Sequence, residues 1–120
     1  MPSIDRPLKA DILHFDLREE EKEATHPETI ERDGRSSRTL LKEGPLRVTL
    51  IVLGPGGGIP EHDAPGPITI QALRGQVEVI VGEDTHAVAP GELLAVDGAI
   101  SHSVRSADGA AFLLTVIHTG

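Results

Sequence analysis

From Gly44 onward, hydrophobic residues recur along the chain with a period of two. Leu46, Val48, Leu50 and Val52 alternate with a second set that mixes polar and apolar side chains. This alternation predicts a β-strand with one apolar face and one mixed face. Six further strands are predicted by the same criteria: Ile68–Leu73, Gln76–Val81, Thr85–Val88, Leu93–Val96, His102–Ser106 and Ala111–Ile117. Gly, Pro and Asp residues separate them, so the chain is predicted to be an all-β sandwich, jelly roll or barrel.

The first 43 residues follow a different pattern. Asp16-Leu17-Arg18-Glu19 and Thr25-His26-Pro27-Glu28 both have the form of a helix-capping sequence, and Gly34 is suited to end a helix in the left-handed conformation. One or two short helices are therefore expected, the alternative being a charged loop over 18–38. We expect residues 1–43 to pack outside the barrel and residues 44–120 to form it.

Composition and charge exclude several kinds of partner. The 120 residues carry a formal charge of −8, so the chain should repel nucleic acid and anionic membranes. Cysteine is absent, which excludes disulfides and thiolate metal sites. The N-terminal residues do not have the pattern of a secretion signal, and a cytoplasmic protein is expected. With two Phe and no Trp or Tyr, any pocket must have mainly aliphatic walls.

Two of the six histidines lie where a site could form. His62 follows a glycine-rich turn shortly before the strand that begins at Ile68, and His102 begins a later strand. Forty residues separate them, so only the fold could bring them together. The remaining histidines lie in the N-terminal segment, on a short strand or near the C-terminus, where exposure to water is expected: His14, His26, His86 and His118.

Two sequence motifs carry a resemblance to a known family. Ile59-Pro60-Glu61-His62 with Gly75 thirteen residues later, and Pro90-Gly91-Glu92-Leu93-Leu94-Ala95-Val96 followed by His102, resemble the two halves of the cupin motif. The resemblance covers roughly residues 44–117 and is to small single-domain cupins of the cupin-2 type. It implies a double-stranded β-helix, a jelly-roll barrel of about eight strands, and a homodimer. The mixed outer face, with Ile51, Leu53 and Ile80, is expected to serve as a contact surface, the alternative being that residues 1–43 cover the edge strands.

The family's metal ligands are matched only in part. Small cupins usually carry His-x-His, then a Glu four residues later, and another His in the second half of the motif. Here His62 and His102 match, whereas Ala64 and Ile68 stand where the second His and the Glu would be. Alanine and isoleucine cannot coordinate a metal. Alternation along the strand should also turn Glu61 and Asp63 away from the barrel if His62 points inward.

Three interpretations of the histidine pair remain open. His62 and His102 could line a metal-free pocket together with Ala64, Ile68 and Ile70, with a small, mostly apolar or weakly polar molecule as the ligand. They could instead hold a divalent transition metal (Fe, Mn, Zn or Ni) with a reduced ligand set, as in a metal-dependent oxygenase, isomerase or decarboxylase. In the third interpretation one of them is an ordinary surface or structural histidine. Because two ligand positions carry aliphatic side chains, a small-molecule binding protein is the favoured prediction.

Overall fold

The computed structural model describes residues 12–119. Two helices come first, α1 (Leu17–Ala24) and α2 (Pro27–Asp33). The strands found in residues 12–119 are β1 (Arg35–Glu43), β2 (Leu46–Leu53), β3 (Gly58–His62), β4 (Ile68–Arg74), β5 (Val77–Val81), β6 (Asp84–Val88), β7 (Leu93–Val96), β8 (His102–Arg105) and β9 (Ala110–Ile117). None of the helices in this described range is long and apolar enough to cross a membrane.

The strands form two antiparallel sheets that face each other across an apolar interior. One sheet has the order β1-β2-β9-β4-β7 and the other β3-β8-β5-β6. Neighbouring strands in each sheet are often distant in sequence, as in a double-sheet jelly roll. The prediction of an all-β jelly-roll fold is confirmed, and so are both short helices.

The division at residue 43 does not match the sheet boundaries. Strand β1 lies within the segment 1–43, yet it pairs with β2 along its whole length, from Arg35 opposite Leu53 to Glu43 opposite Leu46. Thus only the helical part of the described segment packs outside the sheets. Residues 1–11 lie outside the described part of the chain.

Both faces of β2 are buried, which differs from the predicted orientation of this strand. Ile51 and Leu53 belong to the cluster between the two sheets, whereas Leu50 and Val52 belong to a second cluster on the outer side of the larger sheet. The expectation that Ile51 and Leu53 form a contact surface is therefore wrong. With an apolar set on each face, periodicity alone could not say which face points inward.

The helices cover the second cluster. Asp16 caps α1 by accepting hydrogen bonds from the backbone N–H groups of Arg18 and Glu19, as the capping sequence predicts. Arg38 of β1 is almost fully buried and its Nε donates to Glu20 Oε1 at 2.8 Å, which fastens α1 to the sheet. The ion pair with Glu20 offsets part of the cost of burying the guanidinium charge.

Helix α2 begins differently from the prediction. His26, rather than Thr25, is its N-cap residue, and it makes no capping hydrogen bond through its side chain. The Thr25 hydroxyl instead donates to the Glu21 carbonyl of the preceding helix. Gly34 ends α2 with a positive φ of 81°, as expected.

Candidate functional site

The antiparallel pairing of β3 with β8 brings the two candidate histidines together. His62, at the end of β3, lies directly opposite His102, at the start of β8. Their ring centroids are 4.7 Å apart and the ring planes are tilted by 55°. His102 is buried, with 2% of its surface exposed, whereas His62 is exposed at the rim. The other four histidines have exposed positions.

Both rings line a cavity of about 220 Å³ between the two sheets. Its lining residues are Ile59, His62, Asp63, Ala64, Pro65, Ile68, Ile70, His102, Val104, Phe112, Leu114 and Val116. The structure thus places all five pocket residues named from the sequence at one cavity. Nine of the twelve lining side chains are apolar, so the interior favours a largely apolar molecule. The cavity is smaller than the ~300–1,000 Å³ typical of sites for drug-sized ligands.

Strand β9 supplies the part of the cavity wall that was not assigned from the sequence. Phe112, Leu114 and Val116 alternate along β9, so they share the face that points between the sheets. Phe112 is fully buried, lying opposite Ile51 of β2 and Ala72 of β4. The period-two pattern of Ala111–Ile117 contains this set, but the sequence does not say which of its two faces is interior.

The backbone fixes the orientation of each imidazole. His62 Nδ1 lies 2.8 Å from the Pro60 carbonyl oxygen, and His102 Nδ1 lies 3.1 Å from the Ile100 carbonyl oxygen. Because a carbonyl oxygen can only accept a hydrogen bond, Nδ1 of each ring must be the donor. In the neutral imidazole Nε2 is then an acceptor with a free lone pair.

The Nε2 atom of His102 faces the cavity. It makes no hydrogen bond to any of the residues 12–119. The same residues also contain no fully buried side-chain nitrogen or oxygen without a partner. This nitrogen must therefore reach open space, and the cavity is the space that the His102 ring adjoins.

Asp63 lies at the cavity, contrary to the prediction from strand alternation. β3 ends at His62, so the alternation of faces no longer applies to Asp63, which lines the cavity beside it. Its Oδ1 accepts a hydrogen bond from the Ser101 hydroxyl, which joins the chain after β3 to the turn before β8. Glu61, within the strand, is exposed and does not line the cavity, as expected.

The residues at the cavity do not fit the metal site that the resemblance implies. The free Nε2 atoms of His62 and His102 are suitable ligands, but Ala64 and Ile68 provide no donor atom. No group of three or more His, Cys, Asp or Glu side chains in residues 12–119 is placed to hold a metal ion. A catalytic zinc or non-haem iron normally has about three protein ligands. The described donor set is therefore too small for such a centre.

Comparison with known proteins identifies the family and the fold. The cupin domain family model matches residues 49–118, more than half of the chain. A conserved protein of unknown function from Streptococcus pyogenes is 25% identical, with a TM-score of 0.69 over 100% of this chain and 97% of that one. No functionally curated protein matches the sequence.

Two further solved structures show the fold alone, since their identities are low. A cupin superfamily protein from Desulfitobacterium hafniense is 16% identical, with a TM-score of 0.67 over 69% of this chain and 76% of that one. A salicylate 1,2-dioxygenase from Pseudaminobacter salicylatoxidans is 13% identical, with a TM-score of 0.74 over 86% of this chain and 34% of that one.

Proposed function

This chain is a member of the cupin family, and we propose that it binds a small, mostly apolar molecule in the barrel cavity around His62 and His102 without a metal ion. One observation carries the proposal. The cavity of about 220 Å³ is lined mainly by apolar side chains, and its polar side chains are those of His62, Asp63 and His102. Cavities of this character, apolar with a few convergent polar groups, are typical of small-molecule sites.

The expected affinity follows from the apolar area that a ligand would bury. An aromatic group of about 150 Å² is worth roughly 4 kcal/mol at about 25 cal/mol per Å². This free energy corresponds to a Kd on the order of 1 mM for a simple test ligand that makes no specific polar contact. Specific hydrogen bonds to the histidines would tighten binding further.

Benzyl alcohol, a neutral molecule with one aromatic ring, tests the proposal directly. Titrated in the presence of a chelator, it is expected to bind saturably with a Kd on the order of 0.1–1 mM. Chemical-shift changes in a two-dimensional NMR spectrum should be largest at residues that line the cavity, such as Ala64 and Val104. Failure of the shifts to saturate would contradict a specific site.

Filling the cavity should abolish this binding. Ala64→Leu adds three carbon atoms at a half-buried cavity position, and we expect it to weaken benzyl alcohol binding at least about tenfold. Ala87→Leu is the matched control because Ala87 is exposed on β6, on the face opposite to buried Val88. Equal affinity in both variants would place the binding site elsewhere.

The alternative function, a metal-dependent enzyme, is less well supported by the residues of the site. It requires His62 and His102 to be joined by at least one further ligand, and Ala64 and Ile68 cannot serve. Asp63 is the acidic residue of the cavity lining, and it forms no three-ligand group with the two histidines among residues 12–119. These observations favour binding through hydrogen bonds and apolar contact over metal chemistry.

A cytoplasmic homodimer, as expected from the sequence, is also part of the proposal. Strand β1, nine residues long, is the outer strand of its sheet in the described part of the chain. Such an edge can add a strand from a second copy. Sedimentation velocity should give the mass of two chains, and a concentration-independent monomer would contradict the dimer.

A further inference from the structure

The polar side chains that line the cavity share one chemical property. Of the residues at the cavity, only His62, Asp63 and His102 have polar side chains. The two imidazoles use Nδ1 as donor to the backbone and keep Nε2 as acceptor. An ionised aspartate can only accept hydrogen bonds. Thus, when the imidazoles are neutral, every polar side chain at the described cavity presents an acceptor.

The two imidazoles lie together at one end of the cavity, and Asp63 borders the same cavity. The imidazole rings are 4.7 Å apart, and Asp63 follows His62 directly in the chain. The Ser101 hydroxyl donates to Asp63 Oδ1 and holds the carboxylate at the rim. Asp63 Oδ2 makes no hydrogen bond to any other residue in the range 12–119. One carboxylate oxygen and two imidazole nitrogens are therefore available to a ligand.

We infer that the ligand of this cavity is a small apolar primary amine, bound as its ammonium form. An ammonium group offers only N–H donors, which suits a cavity whose polar side chains present acceptors, and its positive charge complements Asp63. Its apolar part would lie against the aliphatic walls formed by residues such as Ile68 and Ile70. The inference rests on the proposed function, because it names the chemical class for the same cavity.

The same acceptors disfavour an anionic ligand. A carboxylate bound beside the neutral imidazoles or Asp63 would meet acceptors and no side-chain donor. It would also lose hydration on entering an apolar cavity without gaining a partner, which is costly for a charge. The formal charge of −8 further favours the approach of cations over anions.

Three test ligands that share a benzene ring but differ in head group show whether the cavity prefers an amine, an alcohol or a carboxylate. Benzylamine, benzyl alcohol and benzoate should be titrated at about pH 8, where histidine side chains are normally neutral. We expect benzylamine to bind at least about tenfold more tightly than benzyl alcohol, and benzoate to bind more weakly than both. Benzoate binding as tightly as benzylamine would overturn the inference and leave the binding function intact. No binding of any of the three would contradict the proposed function itself.

A matched pair of variants tests the role of the carboxylate. Asp63→Asn keeps the shape and an acceptor for Ser101 but removes the charge, so benzylamine affinity should fall at least about tenfold and by a larger factor than benzyl alcohol affinity. Glu61→Gln removes a carboxylate that is exposed and lies outside the cavity. It should change neither affinity. An equal loss of benzylamine binding in both variants would mean that general charge, rather than Asp63, attracts the amine.

Discussion

Phe112→Ala is expected to lower the free energy of unfolding by about 3–5 kcal/mol and to enlarge the cavity at the same time. Phe112 is fully buried, belongs to the cluster between the sheets and forms part of the cavity wall. Its removal deletes apolar contacts and leaves a void that the surrounding strands cannot close completely. Urea denaturation of the wild type and the variant measures the loss.

The second phenylalanine provides a control of the same chemistry. Phe15 is half-buried against the helix-covered cluster on the outer side of the larger sheet, away from the cavity. Phe15→Ala should therefore cost less stability and open no internal void. Benzene, which binds in apolar cavities, should raise the Tm of Phe112→Ala more than that of Phe15→Ala, in which the native cavity keeps its size. Equal effects of benzene on the two variants would contradict the placement of Phe112 at the cavity wall.

The hydrophobic pattern did not predict strands β1 and β3, for two different reasons. In β1 the buried positions of the outer face include Ser36 and Arg38, so the strand lacks an apolar alternation. These side chains are buried because the helices supply their partners: Ser36 donates to the Ala24 carbonyl and Arg38 to Glu20. A partner eighteen residues away is a tertiary feature, which local periodicity does not contain.

Strand β3 was missed for a different reason. It is only five residues long, includes Pro60 and begins at Gly58, a composition that normally indicates a turn. The strand lies at the edge of its sheet, where a residue without a backbone N–H is tolerated. The glycine is required by packing, since a Cβ at Gly58 would lie 2.3 Å from the Val104 carbonyl oxygen of β8.

The sequence could predict those residues of the candidate site that occupy positions of the family motif. His62, Ala64, Ile68 and His102 occupy motif positions, and the structure places all four at one cavity. Asp63 was assigned to the wrong side because its orientation depends on where β3 ends. The acceptor character of the histidines depends on the carbonyl oxygens of Pro60 and Ile100, which sequence alone does not locate.

The double variant Ala64→His, Ile68→Glu is expected to convert the cavity into a metal site. Both positions line the cavity with His62 and His102, and the two substitutions restore the ligand types usual in the family motif. Without metal the variant should be several kcal/mol less stable than the wild type, because Ile68 is 97% buried and a carboxylate there loses its hydration. Added Zn²⁺ or Mn²⁺ should restore stability and bind at about one ion per chain.

A second double variant with side chains of matched polarity tells metal coordination apart from the effect of placing polar groups at the same positions. Ala64→Asn, Ile68→Gln introduces side chains of similar size and polarity that are much poorer metal ligands, so it should lose stability without recovery on adding metal. Elemental analysis of all three proteins, purified without chelator or nickel resin, measures the bound ion. About one metal per wild-type chain would contradict metal-free binding. A double variant that folds and binds no more metal than the wild type would mean that the shape of the cavity, rather than the missing ligands at residues 64 and 68, excludes the ion.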